Sequence, residues 1–425
     1  MNTKLVKTSF GCAAIASVLA ISGAARAASL GDCAAYQAAK PHLYVAGSSA
    51  IKPFIQAMST ALAADQVVIY VSGGSCVGVG YALKGDPLPT GTDLGIIGPD
   101  TCTVPAATKA DIGVSDVFAT SCDGVAAADL DGFGDFQGPV QVMNFVVPKG
   151  SFDNGNHSIS AEAAYLVFGF DPASNNTDTD KSYADGTPWT AKDDIWIRGA
   201  GSGTQSMIAT AINVAPGSWA LNAYTDGNTI KHAVAGGSGE IVTRVGGATN
   251  IDTTIGILAS TELDDARATI RGLAFQAYDQ TCGYWPDSTS SGVDKLNVRT
   301  GKYNIWGPLH MYAAVEANGD PTNPDVQDFA DYLNGTKAID GAADPLSVVK
   351  LEVTKNLVPQ CAMQVSRDAE IGELQSVNPT CSCFYESVRL HGDDGQSFAG
   401  CDACDDATPC ADDTLTCSYG FCEAI

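Results

Sequence analysis

The residues best equipped for chemistry lie in Trp196-Ile197-Arg198-Gly199-Ala200-Gly201-Ser202-Gly203-Thr204-Gln205-Ser206. An apolar strand end delivers an arginine, a turn of small residues follows, and an amphipathic segment over 207–212 carries the chain onward. A turn of Gly, Ser and Thr that opens a helix leaves backbone N–H groups unpaired and aimed one way. With the hydroxyls and the positive end of the helix dipole, those donors suit an anion. Arg198 adds a planar cationic fork matched to a tetrahedral oxyanion. A plain glycine turn beside a solvated arginine would use the same residue types, so one short motif decides little. Three further segments shift the balance. Gly47-Ser48-Ser49 precedes a helical pattern, Gly74-Ser75 follows an apolar strand, and Gly113-Val114-Ser115-Asp116 ends a short strand on a carboxylate.

These turns need a scaffold, and the hydrophobic periodicity supplies one. Leu43-Tyr44-Val45 reads as a strand. Residues 51–62 carry Ile51, Phe54, Ile55, Met58 and Leu62 at helical spacing, with Pro53 acceptable in a first turn. Residues 67–71 form the continuous apolar run of a buried parallel strand. Residues 72–78 read as a second small-residue turn, and 110–116 as another short strand. Residues 140–147 predict a strong strand, 150–190 an irregular polar decoration, and 195–212 a strand, turn and helix. A short helix over 239–246, strands over 254–258 and within 303–315, and a helix over 324–333 complete the pattern. The recurring strand-turn-helix order implies an α/β fold with ligand-facing loops at strand C-termini. No internal sequence repeat is visible.

Bulk properties narrow the partners. A chain of 425 residues exceeds one small core. A formal charge of -25 opposes nucleic acid and anionic membrane surfaces. It does not oppose a small anion, because a local donor cluster outweighs diffuse charge once salt screens it. Lys4 and Lys7, an apolar stretch over 10–24 and Ala25-Arg26-Ala27 read as an export signal over residues 1–27. No later apolar run reaches a membrane span, so none is expected after signal removal. The expected location is periplasmic, secreted or cell-surface. Fourteen cysteines agree with an oxidising compartment. Without Cys12 an odd number remains, which leaves one thiol free or paired between chains. Connectivity is not written in a sequence; Cys102 with Cys122 is the favoured pair, because the two flank a predicted strand. The cysteines crowd after residue 380, in an acidic tail.

The ordered turns, with Arg198 and Ser202-Gly203-Thr204 the most specific part, resemble the periplasmic phosphate-binding proteins of ABC transporters, of the type II substrate-binding-protein fold. That family carries an early Gly-Ser-Ser-Thr-type turn, a Gly-Ser-Ser-Gly-like turn, an Asp closing Gly-x-Ser-Asp, and Arg-x-x-Gly-Ser-Gly-Thr. Thr254-Ile255-Gly256-Ile257-Leu258 is also similar to its Gly-Ala-Ile-Gly-Tyr strand. The resemblance covers roughly residues 41–360. It implies two α/β lobes joined by crossing hinge strands: residues 28–137 with 300–365 as lobe one, 138–299 as lobe two, and 366–425 as a small disulfide-rich tail. It implies an exported, non-enzymatic solute-binding protein that takes inorganic phosphate or a related oxyanion. It also implies an ABC transporter permease as partner, and neither cofactor nor metal. The ligand-binding set is Ser49, Ala50, Ile51, Ser75, Asp116, Arg198, Ser202, Gly203 and Thr204. The chain departs from the pattern at Ala50, Ile51 and Lys52, where relatives carry Thr then an apolar residue before Pro. It departs again at Cys76 and Val77, and in the acidic tail.

The residues have their own logic beside that resemblance. Hydroxyls and N–H groups replace the water shed by a bound oxyanion. Asp116, as a carboxylate, only accepts hydrogen bonds, so it matches a ligand oxygen that still carries a proton. Hydrogen phosphate has such a proton and sulfate does not. Rival readings use fewer residues. A hydrolase with Ser202 as nucleophile lacks the glycines of a nucleophile elbow at Ala200 and Thr204. A calcium loop over 129–135 lacks an oxygen ligand at Phe133 and the closing Glu at Val140. Zinc at Cys401, Cys404, Cys410, Cys417 and Cys422 competes with disulfides. A surface-exposed binding or adhesion protein with the same fold and no transporter is the alternative that the tail suggests.

Overall fold

The computed structural model describes residues 28–36, 40–151, 157–169, 187–214, 225–226, 229–230, 234–333, 337, 347–392 and 395–424. The export-signal reading falls outside them. The chain opens with strand β1 (Ser29–Asp32) and a 3-10 turn over Cys33–Tyr36, followed by β2 (His42–Gly47). Helix α1 (Lys52–Ala61) buries Phe54, Ile55 and Met58 on one face and holds Pro53 in its first turn. Strand β3 (Val67–Ser72) is buried along almost its whole apolar run, and helix α2 (Ser75–Lys84) ends on left-handed Gly85. Strands β4 (Gly91–Ile97), β5 (Asp100–Val104), β6 (Ile112–Ser115) and the long β7 (Phe133–Pro148) follow.

Next come β8 (Ser158–Ser160), α3 (Ala161–Phe168) and β9 (Ile195–Arg198). Helix α4 (Gly203–Ala211), the detached ladder of β10 (Thr225–Asp226) with β11 (Thr229–Ile230), β12 (Val234–Ala235) and α5 (Ser238–Gly246) complete the middle of the chain. Beyond them lie β13 (Ile255–Ala259), α6 (Ser260–Asp265), β14 (Ile270–Gly272), β15 (Ala274–Gln276), α7 (Leu296–Arg299), β16 (Trp306–Ala314), α8 (Pro324–Leu333) and α9 (Ser347–Thr354).

One sheet runs through the molecule in the order β1-β5-β4-β3-β2-β6-β16-β7-β13-β9-β12. Its two halves share one plan. In the first lobe β3, β2 and β6 are parallel neighbours and β16 lies antiparallel beside β6. In the second, β12, β9 and β13 are parallel neighbours and β7 lies antiparallel beside β13. Strand β7 pairs with β16 along Phe133–Val142 and with β13 over Met143–Val146, so it crosses from one lobe to the other. The chain is thus a two-lobed α/β protein with crossing hinge strands, as the resemblance implies.

The structure corrects several expectations. Residues 72–78 are a turn only as far as Gly74, and α2 starts at Ser75. The glycines there serve packing: a Cβ on Gly78 would stand 2.6 Å from the Ala46 carbonyl and 2.7 Å from that of Val114. The stretch 150–190 is not wholly irregular, since it contains β8 and α3; Ser160 caps α3 by accepting from the Ala163 N–H at 3.2 Å. Residues 152–156 and 170–186 of that stretch lie outside the described residues. Cys102 pairs with Cys33 and not with Cys122, because β1 runs beside β5 and brings the two Cα atoms to 5.0 Å. Cys122 pairs with Cys76 in the first turn of α2.

The C-terminal segment is docked and stapled. Strands β17 (Val365–Ser366) and β18 (Gln375–Ser376), helix α10 (Ser382–Leu390) and the β19 (Thr416–Ser418)–β20 (Phe421–Glu423) hairpin are held by Cys361–Cys381, Cys383–Cys401, Cys404–Cys417 and Cys410–Cys422. The sulfurs of Cys404, Cys410 and Cys422 cluster, but disulfides consume them, which removes the thiolates zinc would need. Arg389 of α10 pairs with Asp264 at 2.7 Å and donates to Asn356 Oδ1 at 2.6 Å, and Arg299 pairs with Glu386 at 2.9 Å, fixing the segment to the body of the protein. Cys282 is exposed and is the free cysteine among the described residues. No described helix is long and apolar enough to cross a membrane.

Candidate functional site

The three parallel strands of each half-sheet end at the same cleft. From the first lobe come Ser48 and Ser49 after β2, Ser75 after β3 and Asp116 after β6. From the second come Arg198 at the end of β9 with the Ser202 turn, Ser238 after β12, and Thr261 with Glu262 after β13. Helices α1, α2, α4 and α5 begin there, and none has a side chain capping its first N–H groups. Each uncapped end presents about half a positive charge to the cleft.

Asp116 is the acidic centre of the first lobe and is 1% exposed. Its Oδ2 accepts from the hydroxyls of Ser48 at 2.5 Å and Ser75 at 3.0 Å, and its backbone N–H donates to Ser75 Oγ at 3.2 Å. Tyr70 holds this corner from behind by donating to the Ser48 carbonyl. Burial pushes the Asp116 carboxyl above the usual carboxylate range, opposed by the Ser48 and Ser75 hydrogen bonds and then by Arg198. Its Oδ1 is buried with no hydrogen-bond partner.

Arg198 faces it from the second lobe, 4% exposed. Its Nη1 donates to Ser238 Oγ at 3.0 Å, its Nη2 crosses the cleft to Ser49 Oγ at 2.9 Å, and its backbone N–H is held by Gln205 Oε1 at 2.9 Å. Nε is buried and unpartnered. Burial lowers the guanidinium pKa, opposed by Glu262 and Asp116. An orphaned acceptor and an orphaned cationic donor at one cleft are what a protonated oxyanion satisfies, and buried polar groups seldom stay unpaired.

The lobes touch through backbone as well. Cys76 N–H donates to the Gly201 carbonyl at 3.1 Å, and Thr261 Oγ1 donates to the Ala50 carbonyl at 3.0 Å. Gly74 has a φ of 123°, and a Cβ there would come within 2.7 Å of Gly201 O. A Cβ on Gly203 would overlap the Ser75 hydroxyl and stand 3.0 Å from Asp116 Oδ2. Glycine at both positions lets the lobes approach this closely.

The expected site residues therefore gather as follows. Ser49, Ser75, Asp116, Arg198 and Gly203 meet directly. Ala50 joins through its carbonyl. Ser202 and Thr204 are buried at the start of α4. Ile51 differs: its side chain lies in the first-lobe core with Phe54 and Ile55, so only its backbone faces the cleft end of α1. Sequence reasoning missed Ser48, Ser238, Thr261 and Glu262. A Gly-Gly-Ser turn before a helix announced Ser238 in the same way as Ser75. Glu262 carried no motif; its carboxyl, packed among Thr261, Ser238 and the cleft, is pushed by burial to about 8. The buried histidine of β16, His310, is engaged with Asp135 at 2.7 Å and stacks on Tyr312, so that ring nitrogen does not serve Ser202.

No family model and no curated protein matches this chain. Among solved structures it is similar to a candidate phosphate ABC transporter substrate-binding protein with bound phosphate from Clostridium perfringens, at 14% identity and a TM-score of 0.47, over 75% of this chain and 99% of the other. It is also similar to a possible phosphate binding protein from Planctomyces limnophilus, at 12% identity and a TM-score of 0.44, over 75% and 93% of the two chains. PstS from Borrelia burgdorferi aligns at 14% identity and a TM-score of 0.37, over 75% and 99%.

Proposed function

We propose that this chain is an exported solute-binding protein that closes its lobes on a tetrahedral oxyanion, phosphate before others, for delivery to an ABC-type permease. The lobes are read as residues 28–137 with 300–365, and 138–299, with 366–425 as a stapled appendage. The observation that carries the reading is the presence of two orphaned atoms, Asp116 Oδ1 and Arg198 Nε, at one cleft. Both are buried and unpartnered, at the convergence of four uncapped helix N-termini. The ligand set is Ser49, Ala50, Ile51 (through its backbone), Ser75, Asp116, Arg198, Ser202, Gly203 and Thr204. Arg198 supplies the charge-assisted pair and the hydroxyls replace ligand water. Asp116, as a carboxylate, accepts a hydrogen bond from the protonated ligand oxygen and so rejects sulfate.

Disulfides in the first lobe and the appendage fit an oxidising compartment. The serines that touch a carboxylate, Ser48 and Ser75, both donate to the one oxygen Oδ2 of Asp116 and so brace it, an arrangement that suits binding. Calorimetry with phosphate, arsenate, sulfate and molybdate tests the reading. Phosphate and arsenate must bind and sulfate must not; equal affinity for sulfate overturns the role of Asp116. Phosphoester incubation with no phosphate release is the companion result.

A further inference from the structure

Thr261 Oγ1 has three polar neighbours: Gln141 Nε2 at 3.1 Å, the Ala50 carbonyl at 3.0 Å and Glu262 Oε2 at 2.6 Å. A threonine hydroxyl owns one proton and two acceptor positions. Gln141 Nε2 fills one acceptor position. The Ala50 carbonyl can only accept, so it takes the hydroxyl proton. Glu262 must then donate, which requires its own carboxyl to be protonated. Every position on the hydroxyl is filled in that state, and Ser238 completes Glu262 from the other side while receiving Arg198 Nη1. If Glu262 is ionised, the same hydroxyl turns to the carboxylate, and the Ala50 carbonyl loses its donor across the cleft.

Resting on the oxyanion-binding reading above, we infer that Glu262 is the positioning residue of cleft closure: its proton holds the Thr261 hydroxyl on the Ala50 carbonyl, so closing on the ligand takes up one proton. The surroundings agree. Arg198 from β9 and Asp116 from the end of β6 are the charged groups acting on Glu262. On its own helix Asp264 is turned to Lys295 and Arg389, and Asp265 to Asn356. Burial in the closed form pushes the carboxyl to about 8. In an opened, watered cleft it returns toward about 4.3. Between those values closure binds a proton that the open form lacks. An ionised Glu262 would also place a second negative charge beside Asp116, in a cleft meant for an anion.

The test counts protons. Inorganic phosphate is titrated calorimetrically near pH 7 in buffers of different ionisation enthalpy, into the native chain and Glu262→Gln. Proton exchange by phosphate itself is common to both. The native chain is expected to take up about one proton more per phosphate bound than Glu262→Gln. The ratio of native to variant affinity is expected to fall by about tenfold per pH unit from roughly pH 5 to 8 and then level off. Thr261→Val should weaken phosphate by about tenfold or more while the extra proton stays, since burial and not Thr261 raises the Glu262 carboxyl, and Thr261→Ser should restore the affinity. Equal proton counts in native and Glu262→Gln overturn the inference and leave phosphate binding standing. If no anion gives heat, the oxyanion reading fails first. X-ray scattering of the free chain then decides closure alone: the native radius must grow between pH 5.5 and 9 while that of Glu262→Gln stays constant, and a constant native radius overturns it.

Discussion

Replacing Asp116 by Asn probes the selectivity argument at its centre. In the native site Oδ2 is saturated by the Ser48 and Ser75 hydroxyls, at 2.5 and 3.0 Å. An asparagine keeps those two hydrogen bonds only by leaving its carbonyl oxygen there. Its NH2 then takes the place of Oδ1, the atom without a protein partner. A ligand O–H that donated to Oδ1 now meets two N–H protons. The loss is one hydrogen bond to a charged acceptor plus an unsatisfied ligand donor, about 1.5–3 kcal/mol. That corresponds to phosphate binding about 10- to 100-fold weaker. Sulfate, with acceptors only, gains a donor where it faced a carboxylate. Its affinity should rise while that of phosphate falls, and the preference for phosphate should shrink by about 100-fold or more. Titration calorimetry of both anions at one ionic strength reads this directly, since surface charge effects then cancel. The reasoning is refuted if phosphate affinity stays within about threefold, or if both anions weaken alike. A thermal melt guards against a folding defect; none is expected, because burial already opposes the native charge.

Gly203→Ala should fold, since Gly203 heads a helix, yet its methyl would overlap the Ser75 hydroxyl; phosphate is expected to bind at least about tenfold more weakly, with a larger scattering radius in its presence. Arg198→Lys keeps the charge but loses the fork that reaches Ser238 and Ser49 together; calorimetry should show phosphate weakened by about 10- to 100-fold. Glu370 accepts the Phe118 N–H and is held near 8 by burial. Its folded pKa exceeds the unfolded one, so the folded chain holds the extra proton. Stability is therefore lost as pH rises from about 4.5 to 8, at ~1.4 kcal/mol per unit; Glu370→Gln should flatten that part of the melting profile. Removing Cys361–Cys381, which closes a span of 20 residues, should cost about 2–4 kcal/mol in denaturant unfolding.

Much of the first lobe is legible in the sequence because its signals are local. Apolar runs mark β2 and β3, helical spacing marks α1, and Asp116 closes a short strand. The 3.6-residue period also marks α8 to the residue. Two of the errors share one physical cause. As punctuation, the glycines of 72–78 predict a turn, whereas Gly78 is there because α2 lies directly on β2 and β6. Nearness in sequence favours Cys122 for Cys102, whereas the true partner is set by β1 lying beside β5. Both facts belong to neighbours far apart in the chain, and a linear pattern does not carry them.

The sheet order explains why half of the cleft is silent in the sequence. Each lobe orders its strands second, first, third, with a fourth lent across the hinge, although the two sequences share no visible repeat. Place for place, Ser48 and Ser49 answer to Arg198 and the Ser202 turn, Ser75 to Ser238, and Asp116 to Glu262. A motif search reads one side of this correspondence at a time and stops where residue types differ. The topology does not stop there: the loop leaving the third parallel strand of one lobe must face the equivalent loop of the other. By that rule an acidic residue after β6 directs attention to the residues after β13, where Thr261 and Glu262 stand. The correspondence is chemical as well as positional. On the proposed reading Asp116, braced by two hydroxyls, accepts a hydrogen bond from the ligand, whereas Glu262, buried beside Thr261 and Ser238, keeps its own proton. If so, two carboxyls at equivalent places take opposite protonation duties, and only one of them puts a negative charge into the cleft proposed to receive an anion.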